Sequence, residues 1–402
     1  MRKLPPVGTR LLWRELAAGR RAPAGAETRF AAALQRRIPG GRAFLFGSGR
    51  AALAALLTAL RRLRAGEAVI LPAYTCWTVA AAIRRAGLRA LPVDVRPHDF
   101  DYDPDALARL DWRGALAVVS PNLFGLPSDL PRLETLAHER GVTLIDDAAQ
   151  CLGATVAGRA AGSFGAAGIV SFGRGKNITA LGGGAALVRD AELAAAMDEA
   201  AGAFRGGAAP TGWDVLLKGG AMRLALAPQI FGLAEKAPGV VVGQTVYEPN
   251  FPTPAFGAAR AALAEQVLAR LDEINECRAR RAALLDAALS SARGFSAPPA
   301  RGDARPAWLR RPILVDDSPR RASLLRELQA AGIGATTMYP APIASIPALA
   351  DGLDLRAEPF PGAARIAASL IALPLVDGLT ARDAEAVAAA AERILGRKTG
   401  AP

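Results

Sequence analysis

Lys176 lies between two glycine-rich turns in "SFGRGKNITALGGG", residues 171–184, directly after an apolar run. A lysine on a tight turn near a strand-end carboxylate is a candidate Schiff-base nucleophile, because burial and nearby cations lower an ammonium pKa into a useful range. Taken alone, such a lysine is equally an ordinary solvated charge. The stretch is no Walker A loop: that pattern would need Gly at 170 and Ser or Thr at 177, where the chain has Val170 and Asn177. Three other segments carry residues suited to the same chemistry. Asp146 and Asp147 close the apolar run of "LIDDAAQ". A carboxylate at a buried strand end needs a cationic or N–H partner, unless it simply caps a helix. "FGSGRAALAALL" sets Ser48, Gly49 and Arg50 at the start of a strong helix, where free N–H groups and the helix dipole favour an anion. "PAYTCWTVA", residues 72–80, offers Tyr74 and Trp77 for stacking on a planar ring, or for a core.

Those segments need a scaffold, and the pattern supplies one. Short apolar runs at 43–46, 68–72, 88–95, 115–121, 142–146, 168–172 and 185–188 alternate with helical stretches. This is the signature of βαβ units, and so of an α/β fold with a mostly parallel sheet flanked by helices. In such sheets ligands bind beyond the carboxyl ends of the strands, where all four segments fall. From about residue 255 the pattern becomes one long helix carrying Phe256, Leu263, Val267, Leu271 and Ile274 on one face. A strand near 307–315, a helix near 318–331 and a terminal helix from Ala381 complete a smaller C-terminal α+β lobe. The expected division is 1–250 for the large lobe and 251–402 for the small one.

Composition bounds the rest. The 402 residues exceed one simple core, and 51% hydrophobic with 21% charged residues describes a folded chain. Cys76, Cys151 and Cys277 are widely spaced and the only histidines are His98 and His138, so neither a disulfide framework nor a metal centre is expected. The net charge of +12 comes from arginines spread along the chain, without a basic block interleaved with aromatics, so no nucleic-acid partner is expected. No signal-peptide core or membrane-length apolar run stands out, and the expected location is the cytoplasm.

Together the motifs resemble the DegT/DnrJ/EryC1/StrS family of sugar aminotransferases, which have the fold-type-I pyridoxal-phosphate architecture. "GSGRAAL" is similar to the family's phosphate turn, S-G-T-x-A-L. "NLFGLPSDL" resembles H-L-Y-G-Q-P-A-D, and "IDDAAQCLGA" resembles E-D-A-A-Q-x-x-G-A. The lysine stretch is similar to S-F-x-x-x-K-x-x-x-x-G-E-G-G. In the small lobe "AGIGATTMYPAPI" and "FPGAARIAASLIALPLVDGLT" resemble H-Y-P-x-P-L and F-P-x-A…L-P-L-x-x-x-L-T. The resemblance implies pyridoxal 5'-phosphate as cofactor, with Lys176 as its covalent anchor and Asp147 at the pyridinium nitrogen. It places Gln150 near the 3-oxygen, Ser171 at the phosphate, and Gly49, Arg50 and Ala51 in the phosphate turn. Cys76 falls where the family stacks an aromatic on the ring, with Trp77 beside it, so either is the ring neighbour. Asn250 in "NFPTPAFGAA" aligns with N-Y-R-M-S-E-I-Q-A-A, whose asparagine reaches the neighbouring subunit's phosphate; this implies a homodimer with shared sites.

The implied activity is transfer of an amino group, from glutamate, to a keto-sugar nucleotide or related carbonyl acceptor in surface-polysaccharide or natural-product biosynthesis. Lys176 argues against the family's sugar dehydratases, which carry histidine there; a binding protein without catalysis is the other reading. Departures cluster toward the substrate. Leu181 and Gly182 replace the Gly-Glu of G-E-G-G, and Asn122 and Met338 replace histidines, whereas Arg50, which replaces a threonine, falls in the phosphate turn. The stretch 213–242 reads as an apolar insertion with Met222, Leu226, Ile230 and Leu233 on one helical face despite Pro228. That face either packs on the protein itself or its dimer partner, or, helped by Lys218, Arg223 and Lys236, docks to a membrane or partner enzyme.

Overall fold

The computed structural model describes residues 2–235 and 247–396. Its centre is a seven-stranded sheet in the spatial order Arg42–Phe46, Gly184–Val188, Ala167–Ser171, Thr143–Asp147, Ala115–Val119, Ala68–Pro72, Arg89–Val93. Five neighbouring strands from Ala167–Ser171 to Arg89–Val93 pair in parallel. Gly184–Val188 runs antiparallel to both of its neighbours. The reason is local. No crossover helix intervenes between Ser171 and Gly184, so the chain returns beside the strand it has just left. Lys176 sits in that return.

Period-two alternation splits the core into one layer on each sheet face. Leu45, Ile70, Val118, Leu144, Val170 and Leu187 face one layer. Phe46, Val69, Leu71, Val119, Ile145 and Val188 face the other. The helix Gly49–Leu63 lies in the second layer, packed against Trp77–Arg85 and Ala191–Ala201. Its apolar residues run almost right round, as a helix sealed on most sides requires.

A two-stranded antiparallel sheet, Arg310–Leu314 with Leu370–Pro374, carries the C-terminal α+β part. The helices Leu271–Ala288, Ser318–Ala330, Pro361–Ser369 and Ala381–Leu395 pack around it. The single long helix expected from residue 255 is two, Ala258–Leu268 and Leu271–Ala288. They part at Arg270, whose guanidinium is drawn to the buried Glu15 at 2.7 Å and to Glu273 at 3.1 Å.

The stretch from 213 also divides. Gly212–Ala225 starts at a capping box formed by Thr211 and Asp214. A second helix, Pro228–Ala234, starts at the proline, which lacks the N–H needed to continue the first. The expected common face therefore does not form. Met222 and Leu226 turn to an interior cavity, while Ile230 and Leu233 are exposed, as are Trp213, Leu217 and Leu224. Lys236 and the rest of that stretch to residue 242 lie outside the described residues. Among the described residues no helix is long and apolar enough to cross a membrane.

Residues 2–12 have no helix or strand but are firmly placed. The Lys3 N–H donates to the carbonyl of Pro228 and the Leu4 N–H to that of Gly332, both at 2.7 Å. Arg2 meets Asp383 at 2.6 Å, and Leu4 and Leu11 are fully buried.

Candidate active site

A cavity of about 740 Å³ opens at the carboxyl ends of the sheet strands. Small-molecule sites run from roughly 300 to 1,000 Å³. Of the residues singled out in the sequence, Gly49, Arg50, Cys76, Asp147, Gln150, Ser171 and Lys176 line it, together with Ser48.

Phe172 fixes the lysine turn. Its backbone accepts from the N–H groups of Ala180 at 2.9 Å and Gly182 at 3.2 Å, and its own N–H donates to Gly183 at 2.8 Å. Its ring packs against Phe30 and Phe256. Beneath the turn, Thr9 Oγ1 donates to the carbonyl of Lys176 at 2.8 Å and receives a hydrogen bond from Arg278 Nη2 at 2.8 Å. Arg278 is buried, and its other acceptors are backbone carbonyls, those of Gly8, Lys176 and Asn177. Burial pulls its guanidinium down to about 10. Arg278→Ala strips these carbonyls of a donor and leaves a void. It is expected to cost about 2–4 kcal/mol, measurable as a lowered midpoint in urea unfolding.

The two adjacent aspartates separate cleanly. Asp146 is fully buried and saturated. Its Oδ1 accepts from Asn122 Nδ2 at 2.8 Å and Ser120 Oγ at 3.3 Å, and its Oδ2 from the N–H groups of Gly162 at 2.5 Å and Phe164 at 3.3 Å. Asp147 is the one that reaches the cavity. Its Oδ1 accepts the Ala149 N–H at 3.0 Å. Burial pushes the Asp147 carboxyl up; the Ala149 bond and the Lys176 charge pull the other way. Asn122, where the family resemblance has histidine, is buried beneath this pair and supports Asp146.

At the start of Gly49–Leu63, Ser48 Oγ accepts the Ala51 N–H at 3.2 Å, which seals Ala51 into the cap rather than the cavity. The remaining first-turn N–H groups have no partner within the helix. A Cβ on Gly49 would stand 3.0 Å from Ser171 Cβ and 3.2 Å from its Oγ, so glycine is what lets Ser171 approach this turn. Arg50 is held by Glu248 at 3.0 Å and lies over the Phe251 ring.

The structure leaves two other expected residues off the cavity. Trp77 turns aside, with Nε1 donating to the carbonyl of Ala341 at 3.3 Å, so Cys76 is the cavity neighbour of the pair. Asn250 is exposed, its Oδ1 accepting from Arg85 at 3.5 Å. Leu181 sits at φ 65°, a conformation better suited to the glycine it replaces. Its side chain is half-buried and packs toward Gly219.

Several lining residues are not singled out by the motifs: Val7, Arg174, Phe231, Arg310 and Tyr339, while Met222, read from the sequence as part of an apolar helical face, lines the cavity too. Arg310 had a visible signal, since two arginines open the otherwise apolar strand of "RRPILV". Tyr339 joins Gln150, whose Nε2 donates to its hydroxyl at 3.1 Å.

Lys176, Asp147 and the Ser48–Arg50 helix start thus meet on one cavity beyond the strand ends of a parallel-centred sheet. The model of the DegT/DnrJ/EryC1/StrS aminotransferase family matches residues 16–206 and 257–392, and the chain belongs to that family. The chain is 29% identical over 346 residues to the erythromycin biosynthesis sensory transduction protein EryC1 of Saccharopolyspora erythraea, covering 85% of this chain and 83% of that protein. It is 32% identical over 231 residues to L-glutamine:2-deoxy-scyllo-inosose aminotransferase of Streptomyces kanamyceticus, covering 56% of this chain but 47% of that relative. Among solved structures, DesI in the presence of its TDP-sugar product superposes with a TM-score of 0.77 at 22% identity, covering 98% of this chain and 93% of that one. Such likeness establishes the fold-type-I aminotransferase architecture. Val7, Met222 and Phe231 all come from segments outside the family match.

Proposed function

We propose that the protein is a pyridoxal-phosphate-dependent aminotransferase that moves an amino group from glutamate or glutamine to a keto-sugar nucleotide or related carbonyl acceptor. The observation that carries this reading is the meeting of Lys176, Asp147 and the Ser48–Arg50 helix start on one cavity. The residues fit the cofactor. First-turn N–H groups, the Ser171 hydroxyl and the Arg50 charge suit its phosphate. Asp147 suits the ring nitrogen, Gln150 the 3-oxygen, and Lys176 the aldehyde. When bound, pyridoxal phosphate supplies an electron sink for charge released at the amino-bearing carbon. Asp147, as a carboxylate, keeps a proton on the ring nitrogen. Lys176 would hold the cofactor through its Nζ, and the same Nζ, when free, would carry the proton between the amino-bearing carbon of the substrate and the cofactor carbon. Thr9 and Arg278 hold the backbone from which Lys176 reaches. The acceptor class is supported by the sugar and cyclitol aminotransferases among the relatives.

The test is spectroscopic and then chemical. Protein loaded with pyridoxal phosphate should show a visible band that glutamate or glutamine bleaches, and a panel of keto-sugar nucleotides should restore it. A band inert to every amino donor would leave a binding protein instead.

The same reading makes the working unit a homodimer. Asn250 faces solvent in the single chain and is assigned to the neighbouring subunit's phosphate site. Mixing inactive Lys176→Ala and Asn250→Ala chains is then expected to regenerate activity, since one site of each heterodimer is intact. Absence of recovery after demonstrated subunit exchange would refute the shared site.

A further inference from the structure

Arg310 stands in the cavity wall with no carboxylate to answer it among the described residues. It is 5% exposed. Nη1 donates to Thr336 Oγ1 at 3.0 Å, and Nε has no acceptor among the described residues. The phenols that face it, Tyr74 and Tyr339, are buried and held neutral. Arg311, the next residue, shows what a partnered arginine looks like here. It reaches Asp286 at 2.6 Å and the carbonyl of Pro298 at 2.7 Å.

A buried guanidinium without a counter-ion is costly and calls for one. The other cations on the cavity are engaged or outlying. Arg50 has Glu248 and Lys218 has Asp214, Arg174 is exposed, and Lys176 is assigned to the cofactor. Nor does Arg310 share a hydrogen-bond partner with the phosphate turn. The planar guanidinium fork matches a carboxylate in bidentate geometry. A single positive charge also balances a carboxylate. A phosphate group, carrying about −1.5 to −2 near neutral pH, would stay only partly neutralised.

We propose that Arg310 is the subsite for a carboxylate of the substrate, and hence that one of the two reactants is an organic acid held by its carboxylate at the Tyr339 side of the cavity. This rests on the aminotransferase reading for which reactant it is, but not for the binding itself. The carboxylate belongs either to the amino donor or to the acceptor.

The probe is glutarate, a dicarboxylate with no amino or keto group, titrated calorimetrically into the holoenzyme. Arg310→Met is expected to weaken glutarate on the order of 100-fold, and Arg310→Lys less, because a point charge remains. Glutaramide, isosteric and uncharged, should bind the wild-type protein far more weakly than glutarate. Equal affinity for the two, absence of glutarate binding to wild type, or wild-type affinity in a folded Arg310→Met protein would each overturn the subsite. The glutaramide comparison needs no variant and so survives any folding defect. Kinetics assign the source. A rise in KM for glutamate alone, with lost discrimination against its α-amide, marks the donor carboxylate; a rise in KM for the acceptor alone marks the acceptor. If wild type binds glutarate through Arg310 yet aminates nothing in the panel, the aminotransferase reading falls and the subsite stands.

Discussion

Lys176→Ala is expected to lower transamination by about a thousandfold or more while leaving the fold intact. General acid–base transfer at a positioned side chain contributes about 10²–10⁴-fold, and the same residue is the proposed covalent anchor, so both contributions disappear together. Stability should hardly move. The side chain is half-buried and lines the cavity, whereas the turn itself is fixed by the Phe172 backbone bonds and by Thr9 at the Lys176 carbonyl. The check is threefold: loss of the visible cofactor band, loss of amino transfer, and an unfolding midpoint matching wild type. A folded Lys176→Ala protein that still turned over would end the assignment.

Asp147→Asn is expected to cost well beyond about 100-fold in kcat, since the charge it removes acts on electron density that develops in the transition state. Its neighbour supplies the control. Asp146→Asn sets an amide against donors on both sides, from Gly162 and Phe164 and from Asn122 and Ser120. One amide nitrogen must then face N–H or O–H groups it cannot satisfy, a loss of about 1–3 kcal/mol for a buried unpaired group. The two variants therefore separate by readout, one through rate and the other through unfolding. Near-wild-type rates in Asp147→Asn would remove that residue from the mechanism.

In "LIDDAAQ" the residues alone do not separate the two aspartates; only the family resemblance singles out Asp147. Alternation in a strand sends one carboxylate inward and the other toward the sheet end, but which one depends on the partners waiting there. Those partners, Asn122, Gly162 and Phe164, come from distant segments. The βαβ order was legible because each strand is bounded by turn residues and each helix by its own cap, both local signals. The antiparallel return of Gly184–Val188 follows from the lack of a crossover helix after Lys176. Arg270 hid the helix break because arginine is a good helix former, and its pull toward Glu15 is a contact across 255 residues of chain. Pro228 is visible in the sequence, but that the helix ends before it, with Met222 and Leu226 on the cavity and Leu233 outside, depends on packing from other segments. Trp77 and Cys76 differ by one position, and a one-residue rotation at a helix start decides which of them meets the cavity.

The placement of residues 2–12 sets an order of assembly. Thr9 supports the Lys176 carbonyl, Arg278 supports Thr9, and Arg2 is anchored on Asp383 in the terminal helix. During synthesis these residues leave the ribosome long before their partners, and domains begin folding from the N-terminal side. The central sheet is complete in sequence by Val188, but Arg278 is made ninety residues later and Asp383 later still. Residues 2–12 thus wait for partners made far later. Until the C-terminal helices exist, a nascent chain can hold a formed sheet and a formed cavity floor without the prop beneath its lysine. Competence is deferred until Arg278 and Asp383 have been made, by contacts of very long sequence separation, which are the slow ones to form.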